Sequence, residues 1–254
     1  MERSHPKRLI VNADDFGRTS GINGGIARAH DKGIVTSATM MVAYAAASEA
    51  AALAKERPSL GVGLHVALTG GPPVLPPAQL STLVDANGRL PAKPEGLQKA
   101  HPRELLAEAR AQLKRFRELT GRLPTHFDSH HHSHGLPAVL DVLVTLSWET
   151  GRPVRSQAPH VRERLRAETI STNDHFIDAF YDGGATLENL ITLLGRVDDG
   201  TTELMCHPAI VDDELRSSSG YAEPRARELE ALTHADARAT LQALGIQLAN
   251  YDAL

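Results

Sequence analysis

Between positions 128 and 134 the chain reads Asp128-Ser129-His130-His131-His132-Ser133-His134, an acid and four imidazoles in a sequence that holds 13 His in 254 residues. Imidazole and carboxylate are the side chains that ligate first-row divalent ions. On extended backbone alternate residues share a face, so Asp128, His130 and His132 are expected to converge while His131 turns away. The bland alternatives are a solvated His-rich loop and an expression tag. The tag is disfavoured because the run is internal, interrupted by serines and preceded by the strand-like Leu123-Pro124-Thr125-His126-Phe127. One strand can offer several ligands, and the remaining ones must come from elsewhere.

Three other places carry residues fit to join such a site. Leu9-Ile10-Val11 begins a short buried strand that runs out at Asn12-Ala13-Asp14-Asp15-Phe16-Gly17. Neighbouring strand residues face opposite ways, so Asp14 and Asp15 reach one site only if the strand ends there, as Gly17 suggests; the other reading is a turn with two solvated acids. His65 sits near the end of Leu60-Gly61-Val62-Gly63-Leu64-His65-Val66, either as a satisfied core residue or as a ligand at the same rim. In Glu203-Leu204-Met205-Cys206-His207-Pro208, alternation puts Cys206 with Leu204 in the core and leaves His207, with Met205, free to face a site. A Cys-His nucleophile pair is thereby disfavoured.

The elements that must position these residues alternate strand and helix. A helix capped by Ser20 runs to about Lys32, Ile34 to Val42 makes a second strand, and Ala45 to Arg57 makes its helix. Pro102 to Leu119 is amphipathic through Leu105, Leu106, Ala109, Leu113 and Phe116, and Gly121 stops it. Helices follow over Leu136 to Trp148, Leu187 to Val197, Glu223 to Leu232 and Asp236 to Leu244. Short strands follow at Pro153-Val154-Arg155, His175-Phe176-Ile177-Asp178 and Ile246-Gln247-Leu248. Arg155 reaches either the rim or solvent. Ser156 to Asn173 has no firm assignment, and Gly70 to Pro102 reads as a long loop over the rim, forming a lid, a substrate wall or an irregular surface excursion. In α/β barrels and open α/β sheets the strand C-termini gather the ligand-binding side chains. Asp15-Phe16-Gly17 matches a kinase magnesium triplet but lacks the loops that precede it there, and Gly21, Gly24 and Gly25 fit close helix packing better than phosphate binding.

The chain is 41% hydrophobic and 23% charged, with a formal net charge of −4. It can bury one sizeable core, and it gives no electrostatic reason to bind nucleic acid. The single Cys206 excludes an intramolecular disulfide, and the apolar run after Met1 to Arg8 is too short for a signal peptide or membrane span. One domain over residues 1–254 in a cytoplasmic protein is expected, with no membrane partner.

Taken together, Val11-Asn12-Ala13-Asp14-Asp15-Phe16-Gly17, Gly63-Leu64-His65-Val66-Ala67-Leu68-Thr69, Thr125-His126-Phe127-Asp128-Ser129-His130-His131-His132 and Met205-Cys206-His207-Pro208 resemble the YdjC-like carbohydrate deacetylases, the chitooligosaccharide deacetylase family. Ala179-Phe180-Tyr181 and Tyr221-Ala222-Glu223-Pro224-Arg225 also resemble family segments. The resemblance implies a distorted TIM-like (β/α) barrel, one divalent metal ion, and removal of an N-acetyl group from an amino sugar. It implies Asp15, His65 and His130 as metal ligands, a set that leaves positions for water and the substrate carbonyl.

On that reading Asp14 takes the proton of the attacking water, and His207 gives one to the departing amine. Asp128 would fix a ligand histidine's tautomer, and His132 and Arg155 would orient or touch substrate. Phe16, Tyr181 and Tyr221 are the stacking candidates; an aromatic content of 4% points to a small soluble sugar instead of polymeric chitin. Ligand types permit Mg2+ or Zn2+, and a homodimer is allowed. The rivals are an iron oxygenase using two His and one Asp, a two-metal phosphoesterase, and a sugar- or metal-binding protein without turnover.

Overall fold

Apolar runs that need cover on both faces alternate with amphipathic ones, and the chain accordingly folds into parallel strands wrapped by helices. The computed structural model describes residues 6–254. Met1 to His5, part of the stretch on which the signal-peptide expectation rests, lie outside the described residues. In chain order the elements are β1 (Lys7–Phe16), α1 (Ser20–Lys32), β2 (Ser37–Met40), α2 (Ala47–Lys55), β3 (Gly61–Val66), α3 (Pro102–Thr120), β4 (Phe127–Ser129) and α4 (Pro137–Thr150). They continue with α5 (Pro159–Ala167), β5 (His175–Ile177), α6 (Leu187–Leu194), β6 (Gly200–Cys206), α7 (Asp213–Ser218), α8 (Glu223–Thr233), α9 (Ala235–Ala243) and β7 (Gln247–Ala249).

The strands lie in the order β4-β3-β2-β1-β6-β5, all parallel. β7 pairs with Arg8–Ile10, so it and β2 share one edge of β1, at opposite ends. Beyond β4 the sheet continues through one bridge, Phe127 to Val154, flanked by Phe127 N to Pro153 O and Arg155 N to Phe127 O. Asn173 then spans the last gap with its side chain, accepting from Ser156 N at 2.8 Å and donating to Ser156 O and His175 O. This is a single α/β domain, a distorted TIM-like barrel whose wall is closed here by an amide side chain together with one backbone bond, Val154 N to Ser171 O at 3.1 Å. One apolar cluster runs through it from Leu9 to Ile246.

Several expected boundaries shift. Thr19, not Ser20, caps α1, its hydroxyl accepting from Ile22 N at 3.3 Å. Gly21 and Gly25 do serve close packing: a Cβ on either would come within 2.3 Å of Ile210 O or Ala209 Cα, just beyond β6. Two helices, α5 and α7, fill segments with no expected element. The Gly70 to Pro102 stretch is an anchored excursion and not a lid. Leu80, Leu83, Leu90 and Leu97 bury their side chains, and α3 holds its backbone with two carboxylates. Glu108 accepts from Val74 N and Leu75 N at 2.8 and 2.9 Å, and Glu104 from Thr82 N and Leu83 N at 2.8 and 3.1 Å. Of this stretch only Gly70 lines the cavity at the C-terminal ends of the strands, among the described residues.

Candidate metal centre and active site

The strand ends meet at a cavity of about 560 Å³. Asp14 and Asp15 both reach it, although β1 does not end before them. The β1–β2 register slips between Ala13 and Phe16, and Asp15 has φ 69°. A left-handed residue inside the strand breaks the alternation, turning two successive carboxylates inward. Phe16 then returns to the core, fully buried and off the cavity wall, so it is not a stacking residue.

Asp15 Oδ1, His65 Nε2 and His130 Nδ1 form a triangle with sides of 3.3, 3.3 and 3.7 Å. A divalent ion about 2.1 Å from each of three tetrahedral ligands would impose edges of about 3.4 Å, so the donors fit such an ion. Asp15 Oδ1 is buried and without a hydrogen-bond partner among the described residues. His65 turns its other nitrogen, Nδ1, to Asp128 Oδ1 at 2.8 Å, which places the proton there and leaves Nε2 as the lone-pair donor. Burial opposes a charged His65 ring, but Asp128, with Asp14 and Asp15, outweighs it and lifts the pKa to about 9, so below that pH an ion would bind Nε2 by displacing its proton.

The His-rich stretch does not stay extended. β4 stops at Ser129, and His131 and His132 both adopt left-handed backbone, with φ 55° and 50°. The alternation expected for Asp128, His130 and His132 therefore fails after Ser129. Asp128 and His130 arrive from the strand end, His131 lies tilted against the His130 ring at 3.8 Å with Nδ1 3.0 Å from Thr69 Oγ1, and all three imidazoles line the cavity. His132 meets Phe176 edge-on at 5.6 Å and keeps a buried Nδ1 unpartnered among the described residues. His134 is buried beneath, bonded to Ser129 Oγ.

Arg155 reaches neither solvent nor the cavity wall. It is fully buried and forks onto Asp14, Nη2 to Oδ1 at 2.7 Å and Nη1 to Oδ2 at 2.8 Å, while touching Asp128 Oδ2 and Glu203 Oε1. Glu203 is capped in turn by the Tyr251 hydroxyl. Burial works against the Asp14 carboxylate, yet Arg155 overrides it and holds the pKa far below the usual range.

The opposite wall is aromatic. Tyr181 and Tyr221 stack at 4.2 Å, Tyr181 being 45% exposed and so open to a ligand, and His207 stands edge-on to both at 5.5 and 5.8 Å. His207 Nδ1 is buried without a partner among the described residues, while Nε2 opens to the cavity. Burial and Arg225 bring its pKa down to about 3. Cys206 is buried in the core beside it, as alternation requires. Two residues of α8 hold this wall: Glu228 accepts from His207 N and from the Tyr221 hydroxyl, and Arg225 bonds Asp15 Oδ2 and Tyr221 O. Burial pushes Glu228 up to about 7. Neither is assigned a role from sequence, although Arg225 ends a segment that resembles the family; a second signal is that Arg225 and Glu228, three apart, share a helix face that also buries Leu229 and Leu232.

The sequence model of the family described as YdjC-like protein matches residues 8–243. The chain belongs to the YdjC-like family. Among its relatives, the carbohydrate deacetylase of Geobacillus stearothermophilus is 43% identical over 250 residues, 97% of each chain. The chitooligosaccharide deacetylase of Yersinia enterocolitica is 37% identical over 253 residues, 96% of this chain and 98% of that one. The crystal structure of an Enterococcus faecalis V583 protein superposes with a TM-score of 0.92 at 35% identity over 98% of both chains. A family 4 carbohydrate esterase from Streptomyces lividans shares the fold, with a TM-score of 0.55 at 12% identity over 96% of this chain and 92% of that one.

Proposed function

We propose that this YdjC-like protein is a metal-dependent carbohydrate deacetylase that hydrolyses the N-acetyl group of a small amino sugar or short chitooligosaccharide. The observation that carries the reading is the three-donor triangle of Asp15, His65 and His130 with Asp14 fixed beside it; the deacetylase relatives support the substrate class. These three residues would hold the ion. Two imidazoles and one carboxylate suit a borderline ion such as Zn2+ better than Mg2+, which prefers oxygen. A divalent ion held there supplies a more acidic water and a polarised acetyl carbonyl.

The chain's own groups do the rest. Arg155 favours the ionised form of Asp14, the form that can accept a proton. Its Oδ1 is taken up by Arg155, Asn12 and Thr39, whereas Oδ2 meets only Arg155 Nη1 among the described residues. Oδ2 therefore keeps the lone pair that receives the water's proton. His207 presents Nε2 to the leaving nitrogen. Its ring starts neutral, burial and Arg225 opposing the charged form, so the proton it would give the amine is the one Asp14 takes from the water, passed on to Nε2 and from there to the leaving nitrogen. The Tyr181–Tyr221 stack offers an apolar face to a sugar ring, and a cavity of about 560 Å³ suits one or two sugar units.

A two-metal phosphoesterase is disfavoured by the second donor group, Asp14, His65 and Asp128. Arg155 already bonds both of its carboxylates, and His65 Nδ1 is committed to Asp128. A single domain spanning the chain, a cytoplasmic location and a homodimer belong to the same proposal. No helix among the described residues is long and apolar enough to cross a membrane, and light scattering reads the dimer directly.

The test is amine release from a panel of N-acetylated mono- and disaccharides, with and without added Zn2+, Mg2+ or Mn2+. Asp14→Asn should keep stoichiometric metal and lose about 10²- to 10⁴-fold in turnover. Sugar binding with no amine released by the metal-loaded wild type would instead establish a binding protein.

A further inference from the structure

Asp15 divides its two oxygens between different tasks. Oδ1 faces His130 Nδ1 at 3.3 Å and His65 Nε2 at 3.7 Å. Oδ2 accepts from Arg225 Nη2, with Arg18 Nη1 farther off at 3.6 Å. Both members of the Asp15–Arg225 pair are 97% or more buried, so this is a desolvated contact between fixed groups and not a surface pair. Arg225 is itself held at both ends. Its Nε donates to Tyr221 O at 2.8 Å, and its backbone carbonyl accepts from Ala209 N at 3.2 Å.

We propose that Arg225 is a positioning residue for the metal centre: by occupying Oδ2 it makes Asp15 a one-oxygen ligand and aims Oδ1 at the two imidazoles. The inference rests on the proposed metal site and goes beyond it. A carboxylate free to turn can offer both oxygens to a cation, and the ions that profit are those that take many oxygen ligands, Ca2+ above all. A carboxylate pinned through one oxygen favours compact four-coordinate ions. Arg225 thus acts on which ion is held as well as how tightly. Its bond to Tyr221 O also joins the metal ligand to the aromatic wall, so the geometry of Asp15 and the position of Tyr221 are set by one guanidinium.

Charge and position predict opposite signs, which makes the proposal testable. A positive group beside a divalent ion repels it, so deleting it for charge alone would tighten binding. Losing the fork loosens it, by the 10- to 100-fold typical when a group that orients a ligand is removed. The experiment is equilibrium dialysis of Zn2+ and Ca2+ against the wild type, Arg225→Lys, Arg225→Gln and the control Arg18→Gln, with metal quantified by elemental analysis and metal-free folding checked by circular dichroism. Arg225→Lys keeps the charge and loses the fork; Zn2+ should bind it at least tenfold more weakly, with Ca2+ changing by less than threefold. Arg225→Gln should also weaken Zn2+, and Arg18→Gln should leave both ions within threefold.

Zn2+ affinity of Arg225→Lys within threefold of wild type, tighter binding by Arg225→Gln, or equal losses for both ions would each overturn the proposal. Should Arg225→Gln not fold, Arg225→Lys alone decides. A wild-type chain that bound no metal would overturn the metal site itself, and this proposal with it.

Discussion

Replacing Arg155 by methionine is the sharpest probe of the barrel interior. The side chain is fully buried and bonds three carboxylates, Asp14 at 2.7 and 2.8 Å, Asp128 at 2.7 Å and Glu203 at 2.8 Å. Methionine fills much of the volume and leaves those acids without their cation. The least costly escape is uptake of one proton, which at pH 7 costs about 4 kcal/mol for a carboxyl whose unfolded pKa is near 4. That agrees with the roughly 3–5 kcal/mol lost when one partner of a buried ion pair is removed. Urea unfolding of the metal-free protein at pH 7 should therefore show Arg155→Met less stable by about 4 kcal/mol. In the variant the folded carboxyl binds its proton more tightly than the unfolded one, so its stability rises as pH falls. The wild-type acids Asp14 and Asp128 have folded values shifted down, and the stability they contribute is lost only when pH falls well below 5. From pH 7 to pH 5 the gap should therefore narrow by about 1.4 kcal/mol per unit. A gap below about 1 kcal/mol at pH 7, or one that does not change with pH, would refute the claim that Arg155 is the counter-ion of this cluster.

Two other substitutions read different parts of the structure. Asp128→Asn replaces the acceptor that holds His65 Nδ1 at 2.8 Å and sets an amide against Arg155; metal should bind about 10- to 100-fold more weakly by calorimetric titration, and unchanged affinity would remove Asp128 from that role. Gly63→Ala puts a Cβ 2.4 Å from His126 Cε1 and 2.8 Å from His126 O, whereas Gly220→Ala meets nothing within 4 Å. Differential scanning calorimetry should show the first less stable by about 1–3 kcal/mol and the second close to wild type, the reverse order being incompatible with this packing.

The alternation of elements was legible because each apolar run carried its own period. Pro102 to Leu119 declares its helix through Leu105, Ala109, Leu113 and Phe116, and Met205 and His207 face the cavity as strand alternation requires. What defeated the pattern was left-handed backbone at non-glycine residues. Nothing in the spacing of Asp14-Asp15 or His130-His131-His132 announces that φ turns positive at Asp15, His131 and His132. Long-range polar partners were equally hidden. Arg155 is 141 residues from Asp14, and Arg225 is 210 from Asp15. Asn173, which closes the barrel wall, stands in a stretch without period, and its role depends on Ser156 and His175 lying on either side of a gap.

The positive φ angles at Asp15, His131 and His132 bear on how such a protein would change under selection. Each holds an L-residue where glycine would rest about 1 kcal/mol lower. A laboratory population screened for thermal endurance alone, with no demand for turnover, would be drawn toward glycine at His131 and His132 and would lose two walls of its own cavity. Asp15 resists the same drift, because its loss leaves the buried Arg225 guanidinium without its carboxylate, about 3–5 kcal/mol against about 1 kcal/mol gained. Stability screens on this fold therefore need a paired screen for turnover, because three of the five non-glycine residues at positive φ among the described residues, Asp15, His131 and His132, line the cavity.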